Sequence, residues 1–467
     1  MAYVVTQSCC SDASCVVACP VNCIHPAPGE PGFAEAEMVF IDAETCVGCG
    51  ACVTACPVGA IVPDTRLRED QRAFVDLAAE YYDVFPHRDR TPVALVPRQR
   101  RLRRPGPFRV AVVGAGPAGL YAADELLKHP EIDVEVFERL DVPHGLARFG
   151  VAADHVETRR VARLFEQITA QPGLRLHLGV EVGRDVTPEE LETRFDAVVH
   201  ATGAPADRRL GVPGDSLPGV LGATALAEWS NAHPARRDLA AELVAVDGGR
   251  AVVIGAGNVA LDAARLLVGP MVGAREVLVL GRRGVDAAAF TTPELVGLVG
   301  LADPSRPDPV DVLLESGPAP VPEPFPAPGS GVRSRLLTEL AQRRPAPGRP
   351  RIVLRFDSPV TEVTGGDRAR GVRLADGSVV ETDLVVGAIG QDWAPVAHQR
   401  GRVRPGVYVT GWAKRGPTGF LGTNKACAQE TVGALLDDLD AGLGTASSPH
   451  AHPSRRVRGL LTGRNSR

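Results

Sequence analysis

This chain of 467 residues has no long apolar run, hardly any cysteine after residue 56, and almost no lysine. Only three of its 51 basic residues are lysines, a bias that we assign to composition and not to function. No apolar stretch approaches the ~18 residues that a membrane-spanning helix needs, so the sequence predicts no transmembrane helix. The first ten residues also lack the basic segment and the apolar core of a signal peptide. We therefore expect a cytoplasmic protein with reduced thiols.

Cysteine and basic residues are distributed unevenly along the chain. Nine of the ten cysteines lie within the first 56 residues, whereas a disulfide framework would spread them through a short secreted chain. Residues 1–62 contain six acidic residues and no lysine or arginine. With a net charge of −5, the whole chain indicates no broad basic surface for nucleic acid. A hydrophobic content of 44% excludes global disorder, and the length indicates about three domains.

The cysteine-rich block is an internal duplication with an offset of 37 residues. The first copy has Cys9, Asp12, Cys15 and Cys19 where the second has Cys46, Cys49, Cys52 and Cys56. The second copy has the spacing of bacterial iron–sulfur proteins, in which the fourth cysteine binds the other cluster. The sequence therefore predicts two clusters with crossed ligands: Cys46, Cys49, Cys52 and Cys19 at the first, and Cys9, Cys15, Cys56 and Asp12 at the second.

Asp12 distinguishes the second site, because a carboxylate is a harder ligand than a thiolate. That site is predicted to hold either a [3Fe–4S] cluster or a [4Fe–4S] cluster with one oxygen-bound iron, and Cys10 is an alternative ligand. A zinc site is the alternative for the whole block, but zinc ribbons separate two cysteine pairs by about 15–20 residues. Otherwise we interpret Cys10, Cys23 and Cys427 as small buried hydrophobic residues.

Three stretches have the composition of linkers or loops. Residues 63–106 are interpreted as a linker with one helix around Glu69–Tyr82. For its arginine-rich end, from Arg98, we favour a solvated segment, and docking onto the acidic amino-terminal block is the alternative. Residues 304–350 are rich in proline and predict a surface loop. Residues 441–467 predict a disordered tail.

A strand, a glycine-rich turn and a helix begin at Arg109. The turn is Gly114-x-Gly116-x-x-Gly119, and the next strand ends at Glu138. Such glycines permit a tight turn and the close approach of a pyrophosphate, which meets the amino terminus of the helix. A carboxylate at the end of the second strand accepts hydrogen bonds from an adenosine ribose, so we favour this role for Glu138 over that of an exposed turn residue.

A second unit of the same kind begins at Arg250, with the turn Gly255-x-Gly257-x-x-Ala260. Its second strand ends in Arg282 and Arg283, where an NAD site would place an acidic residue. Guanidinium groups pair with a 2′-phosphate that a carboxylate would repel. The sequence therefore predicts NADP, and a solvated turn is the alternative for the two arginines. Two such units indicate an α/β protein with two nucleotide-binding domains.

At these motifs the chain resembles the adrenodoxin-reductase-like NADPH–ferredoxin reductases. The resemblance covers roughly residues 107–437 and depends on the ordered segments His144–His155, Gly255–Asp262, Gly281–Gly284, Phe290–Leu295 and Gly411–Thr423. Residues 1–62 resemble a bacterial seven- or eight-iron ferredoxin. The whole arrangement is similar to actinobacterial ferredoxin–reductase fusions.

The resemblance implies the residues that contact two nucleotides. FAD would lie along Gly114, Gly116, Ala118, Gly119, Glu138, Leu146, Val182, Trp412, Gly419, Phe420 and Leu421. NADP would contact Gly255, Gly257, Asn258, Val259, Ala260, Arg282, Arg283, Glu294 and Gly419. His155 corresponds to a histidine near the flavin and is a candidate for proton handling, with a satisfied core histidine as the alternative. Some relatives have an acidic residue where this chain has Gly297, so a mechanism that needs this acid is not supported.

The implied fold is an α+β ferredoxin domain followed by an α/β flavoprotein with two Rossmann-type domains of the glutathione-reductase kind. The predicted boundaries are a ferredoxin domain at 1–62, a linker at 63–106, an FAD-binding domain at 107–206 and 387–440, an NADP-binding domain at 207–386 and a tail at 441–467.

The implied activity is that of an NADPH-dependent ferredoxin reductase. NADPH would reduce FAD, and single electrons would pass through the clusters to an external ferredoxin or cytochrome P450. One alternative is the NADPH-oxidising subunit of a larger reductase, similar to the small subunit of glutamate synthase. A second is a flavoprotein with a zinc-stabilised interaction module. A disulfide reductase is excluded because no Cys-x-x-Cys pair follows the first glycine turn.

Overall fold

The computed structural model describes residues 2–93, 100–315, 331–394 and 396–444, which form a small amino-terminal unit and two six-stranded sheets. One continuous apolar core includes residues from all three parts, from Val4 to Leu439. Within the described residues, no helix is both long and apolar enough to cross a membrane.

The amino-terminal unit keeps the sequence duplication in its backbone. Its elements, with the helix that follows it, are β1 (Tyr3–Val5), α1 (Ser14–Ala18), β2 (Ile24–His25), β3 (Phe40–Ile41), α2 (Ala51–Ala55), β4 (Ile61–Pro63) and α3 (Ala73–Val84). Strand β1 pairs with β4 and β2 with β3, both antiparallel. Ala13 (φ 59°) and Gly50 (φ 76°) precede the two short helices, and Cys19 and Cys56 follow them with φ −75°. The two copies therefore present their cysteines in matching geometry.

The first large sheet begins after this unit. Its elements are β5 (Phe108–Val113), α4 (Pro117–Leu127), β6 (Ile132–Glu138), α5 (Gly145–Phe149), α6 (Ala162–Thr169), β7 (Leu174–Leu178), α7 (Pro188–Arg194), β8 (Ala197–His200) and the short β9 (Ala206–Asp207). Strands β5 to β8 are parallel to their neighbours in the order β8-β5-β6-β7.

The second large sheet is contributed by the middle of the chain. Its six strands are β10 (Val220–Gly222), β11 (Arg250–Ile254), β12 (Glu276–Leu280), β13 (Asp311–Glu315), β14 (Arg351–Arg355) and β18 (Leu384–Gly387). The helices between them are α8 (Ala223–Ser230), α9 (Ala240–Val244), α10 (Asn258–Val268), α11 (Thr292–Val299) and α12 (Gly331–Gln342). Between β14 and β18 the chain forms a separate antiparallel sheet of β15 (Val360–Gly365), β16 (Ala369–Leu374) and β17 (Val379–Glu381). The parallel order is β10-β18-β11-β12-β14-β13.

The chain then returns to the first sheet. The last elements are β19 (Gln391–Asp392), β20 (Arg402–Arg404), β21 (Val407–Val409), α13 (Trp412–Arg415) and α14 (Thr423–Ala441). Strand β21 lies parallel beside β8, which completes the order β20-β21-β8-β5-β6-β7. Consecutive residues Val110–Val113 are all buried, so both faces of β5 are covered, as in parallel sheets generally. The α/β class with two dinucleotide-type sheets is confirmed, and the exact domain boundaries stay predictions.

The segment predicted as a linker is packed over part of its length. Tyr82 on α3 donates hydrogen bonds to the carbonyl oxygens of Cys23 and Phe40, both at 2.9 Å. Asp76 pairs with Arg335 of α12 at 2.6 Å. The helix predicted within this segment is therefore present as α3, and it finds partners in both the amino-terminal unit and the second sheet. The bounds of the linker stay a prediction.

The arginine-rich end of that segment contacts α14. Arg100 pairs with Asp437 (2.6 Å) and Asp440 (2.7 Å), and the Arg103 amide donates to Asp440 (2.6 Å). The described residues of this arginine-rich end are largely exposed, as the favoured solvated interpretation predicts. The ion pairs of Arg100 run to the acidic last turns of α14 and not to the amino-terminal block. Residues 94–99, including Arg98, lie outside the described residues.

The prediction of one surface loop over residues 304–350 is also wrong. The segment includes β13 and α12, and β13 is an edge strand, where the preceding Pro309 is tolerated. Residues 316–330, with the alternating prolines, lie outside the described residues. Of the predicted tail, Ala441 ends α14 and residues 445–467 lie outside the described part.

Candidate active site

Five cysteines line one cavity in the amino-terminal unit. Four of them are the set predicted for the first cluster, Cys19, Cys46, Cys49 and Cys52, and the fifth is Cys23, whose sulfur lies 3.4 Å from that of Cys19. The apolar wall includes Tyr3, Val21, Ile24 and Ile41. Burial raises the pKa of the Cys52 thiol to about 11, so this sulfur is a thiol at neutral pH unless a metal binds it. Soft sulfur donors in an apolar cavity fit an iron–sulfur cluster.

The second predicted set is also brought together, around the loop that precedes α1. Cys15 is buried on α1, and the sulfurs of Cys9 and Cys56 accept hydrogen bonds from amides two and four residues later, at 3.4 and 3.3 Å. Burial raises the pKa of the Cys15 thiol, and the charges of the other three members raise it further. Hydrogen bonds to sulfur are one of the means by which proteins tune such clusters.

Asp12 has protein partners at the position where the second copy has a cysteine. Its carboxylate accepts hydrogen bonds from the amide of Ser14 (3.2 Å) and, at short range, from the Ser14 hydroxyl. It also pairs with Lys425 on α14 at 3.5 Å. The negative charge of Asp12 is therefore already balanced by the part of the chain that carries the first sheet.

The first glycine turn has the geometry that a dinucleotide needs. A Cβ on Gly119 would overlap the carbonyl oxygen of Gly114, so the helix and strand can lie this close only with glycine there. No described heavy atom lies within 4 Å of a Cβ built on Gly116, which leaves the space above the turn open. Glu138 is only 8% exposed and accepts hydrogen bonds from the amides of Ala115 (2.9 Å) and Leu140 (3.0 Å). Its carboxylate is thus held beside the turn.

Other residues implied for FAD converge on this turn. Gly145, which precedes Leu146, lies so near that its Cβ would be 3.0 Å from the Cα of Gly116. Val182 packs in a small apolar cluster with Val113, the last residue of β5.

The carboxyl-terminal residues implied for FAD approach the same turn. A Cβ on Gly411, directly before Trp412, would overlap Ala118. Gly419–Leu421 lie just before α14, separated from it by Gly422, and α14 packs against α4. The structure therefore brings together residues that are about 300 positions apart in sequence.

The second glycine turn is open in the same way. A Cβ on Gly257 would find its nearest neighbour, the Cβ of Ala289, 4.0 Å away. Arg282 and Arg283 are exposed and follow β12, which lies parallel beside β11, so they share an edge with the turn. Of the remaining predicted contacts, Asn258 begins α10, Val259 is exposed and Ala260 is buried.

His155 belongs to a charged network that includes α10 and α11. Its Nε2 lies 2.9 Å from Oδ1 of Asp262. Arg265, only 6% exposed, contacts Asp154 at 2.8 Å and makes short contacts with Asp262 and Glu294. Burial lowers the pKa of His155, but the hydrogen bond to Asp262 together with the charges of Asp262 and Glu294 outweighs it, so the pKa is raised. Burial raises the pKa of the Glu294 carboxyl. Both groups of this network therefore hold a proton more readily than they do in water.

Sequence reasoning missed Arg265 as a member of this network. The available signal was a helical spacing: Arg265 follows Asp262 by three residues, and both lie on α10 among apolar residues. A charged pair at buried helical positions indicates a partner elsewhere in the fold.

The amino-terminal unit contacts the segments implied in flavin and nicotinamide binding. The amide of Gly422 donates to the carbonyl oxygen of Cys10 at 2.7 Å, and the Thr158 hydroxyl donates to the Ser8 carbonyl at 3.2 Å. The loop with Cys9, Cys10 and Asp12 therefore lies against the start of α14.

Gly297 is explained by the same contact. The side-chain amide of Gln7 donates a hydrogen bond to the carboxylate of Glu294 (3.3 Å), and a Cβ on Gly297 would overlap the side chain of Gln7. Where some relatives have an acidic side chain, this chain therefore leaves space for its own amino-terminal unit.

Comparisons with known proteins agree with this arrangement. Residues 108–284 match the pyridine nucleotide-disulphide oxidoreductase family, and residues 39–62 match the 4Fe-4S binding domain family. The chain is 41% identical to the probable ferredoxin/ferredoxin–NADP reductase of Mycobacterium leprae, over 97% of this chain and 89% of the relative. It is 37% identical to human mitochondrial NADPH:adrenodoxin oxidoreductase, over 72% of this chain and 79% of that protein. Mycobacterium tuberculosis FprA in complex with NADPH has a TM-score of 0.62 at 34% identity, over 73% of this chain and 85% of that one.

The two glycine turns on parallel sheets and the thiol-lined amino-terminal unit define an oxidoreductase with two dinucleotide-binding folds and an iron–sulfur domain. Within that class, the chain belongs to the ferredoxin/ferredoxin–NADP reductase family, which confirms the resemblance seen in its sequence. The 4Fe-4S match covers only the second copy of the duplication, so the second cluster stays a prediction.

The His155 network generates a pH prediction. Asp262→Asn removes the charge that holds the pKa of His155 above its usual value, so this pKa is expected to fall. The proton is then lost at lower pH, and the corresponding limb of the pH profile for flavin reduction by NADPH, measured by stopped flow, moves to lower pH. Asp376→Asn, at an exposed site, is the control. If the limb of the pH profile does not shift in Asp262→Asn, the His155–Asp262 pair is not the cause of that limb.

Proposed function

We propose that this chain is an NADPH-dependent ferredoxin reductase fused to its own ferredoxin, and that it delivers electrons to an external acceptor. The observation that carries the proposal is the contact between the Cys9–Ser14 loop and the start of α14, because it joins a candidate cluster loop to the segment implied in flavin binding. When bound, FAD converts a hydride donor into single electrons for the clusters. The names of two relatives, a probable ferredoxin/ferredoxin–NADP reductase and an NADPH:adrenodoxin oxidoreductase, support this assignment.

The chain's own residues would bind, orient and exchange protons. The open turn at Gly116 and the held carboxylate of Glu138 suit the pyrophosphate and ribose of FAD. The exposed pair Arg282 and Arg283 suits the 2′-phosphate of NADP. His155, with Asp262 and Arg265, would hold the proton that accompanies flavin reduction.

The arginine pair generates a kinetic prediction. Arg282→Ala and Arg283→Ala are each expected to raise KM for NADPH about tenfold or more, since a hydrogen bond to a charged group contributes about 1.5–3 kcal/mol. KM for NADH is expected to change little, because NADH has no 2′-phosphate. The measurement is steady-state reduction of ferricyanide, with Arg306→Ala at an exposed site as the control. Equal effects on NADPH and NADH would contradict the assignment.

We also propose two clusters, with a [3Fe–4S] cluster at the Asp12 site. Support comes from the partners of Asp12: Ser14 and Lys425 already engage its carboxylate, which leaves three thiols for iron. The iron assignment, and not zinc, is supported by the family match of the second copy. No disulfide joins any of the ten cysteines, which leaves their sulfurs available to bind iron.

Asp12→Cys tests the cluster type. The substitution restores a fourth thiolate, so the oxidised protein is expected to lose the EPR signal of a [3Fe–4S] cluster and to gain one iron per chain. Cys10→Ser is the control, and it is expected to leave the signal unchanged because in this proposal Cys10 does not bind iron. An oxidised wild-type protein without the signal would refute the [3Fe–4S] assignment.

The external acceptor is proposed to dock on the half of the amino-terminal unit that carries α2. Cys49 is exposed there, and Val47 is 63% exposed. Residues 1–62 contain no basic side chain, so opposite charge favours an acceptor with a basic docking face. Both a ferredoxin and a cytochrome P450 are candidates on this basis.

A further inference from the structure

One acidic side chain of the amino-terminal unit reaches the second glycine turn. Glu37 accepts a hydrogen bond from Nδ2 of Asn258 at 3.3 Å, and its other oxygen accepts a short hydrogen bond from the hydroxyl of Thr291. Asn258 is the first residue of α10, and Thr291 caps α11. Glu37 therefore connects the amino-terminal ends of two helices of the second sheet.

The backbone around Glu37 is tied to the candidate cluster loop. The hydroxyl of Ser11 donates to the carbonyl oxygens of Ala36 (3.0 Å) and Glu37 (2.6 Å). Ser11 directly follows Cys10, whose carbonyl oxygen accepts the hydrogen bond from the amide of Gly422, directly before α14. The position of Glu37 and the docking of this loop are thus mechanically linked.

The place that Glu37 reaches is suited to a nucleotide. The amino end of α10, an 11-residue helix after a glycine turn, has amides that bind an anionic pyrophosphate. Glu37 and a phosphate group compete for the hydrogen-bond donors at this position, because both present acceptor oxygens to them.

The position is also unfavourable for Glu37 itself. Burial, and then the nearby charge of Glu294, raise the pKa of Glu37 to about 8. The charged form of Glu37 loses hydration and lies near a second carboxylate, so it is bound only weakly at this position. An incoming nucleotide can therefore replace its contacts with Asn258 and Thr291.

We propose that Glu37 is a latch, which engages Asn258 and Thr291 in the nucleotide-free protein and is displaced when an NADP nucleotide binds. The inference rests on the proposed function, because it takes the second glycine turn as the NADP site. Nucleotide binding and docking of the amino-terminal unit then oppose each other, and linkage makes each weaken the other by the same factor. The return of Glu37 favours release of the oxidised nucleotide and brings the Cys9–Asp12 loop back against α14.

The test is the dissociation constant of NADP+ from the oxidised holoenzyme, followed by the flavin difference spectrum. Glu37→Ala is expected to bind NADP+ about fivefold or more tightly than the wild type, as for coupled sites in general. Glu35→Ala removes an exposed acid from the same loop and is expected to bind NADP+ as the wild type does. Glu37→Gln keeps the shape and one acceptor oxygen, so its dissociation constant for NADP+ is expected to lie between those of the wild type and Glu37→Ala. This variant guards against a folding defect of the alanine variant.

Hydrogen exchange supplies a second measurement. NADP+ is expected to increase exchange in residues 31–39 of the wild type and to add little in Glu37→Ala, where this loop is already released. An unchanged or larger dissociation constant in Glu37→Ala, with every protein still binding NADP+, would overturn the latch alone. If none of the proteins binds NADP+, the proposed function fails and the latch fails with it.

Discussion

One close approach of two backbones sets the arrangement of the whole molecule. The amide of Gly422 donates to the carbonyl oxygen of Cys10 at 2.7 Å, and a Cβ on Gly422 would overlap the backbone of Ser11. Only glycine permits this distance. The contact holds the Cys9–Asp12 loop against α14, and through the Ser11 hydroxyl it also positions Glu37. The candidate flavin, nucleotide and cluster sites therefore meet at a single interface.

Charge explains why this interface lies where it does. The amino-terminal unit has acidic side chains and no lysine or arginine, so the ammonium and guanidinium partners of its acids come from other parts of the chain. Asp12 pairs with Lys425, and Asp42 pairs with Arg90 at 3.5 Å. Opposite charges guide and orient such a contact, although exposed ion pairs contribute little to stability. The half of the unit with Cys49 takes no part in these contacts and faces outward.

Much of the fold and of the candidate site could be predicted because the signals are local. The 37-residue duplication, both glycine turns, and the position of Arg282 and Arg283 follow from spacing within a few tens of residues. The helix α3 was predicted but its packing partners were not, and the strand β13 was misread as loop, since composition does not show which partners cover an amphipathic or edge element. Arg265 was missed because its role depends on carboxylates from other segments.

The sequence by itself determined the 37-residue duplication and the two glycine turns, because each of these depends on residues at fixed short spacings. Only the tertiary structure decided which cluster loop faces α14, why Gly297 has no side chain, and that Glu37 reaches Thr291 across 254 positions of the chain. Such contacts arise when separate units dock. Docking depends on the shape and charge of assembled surfaces, which no local spacing encodes.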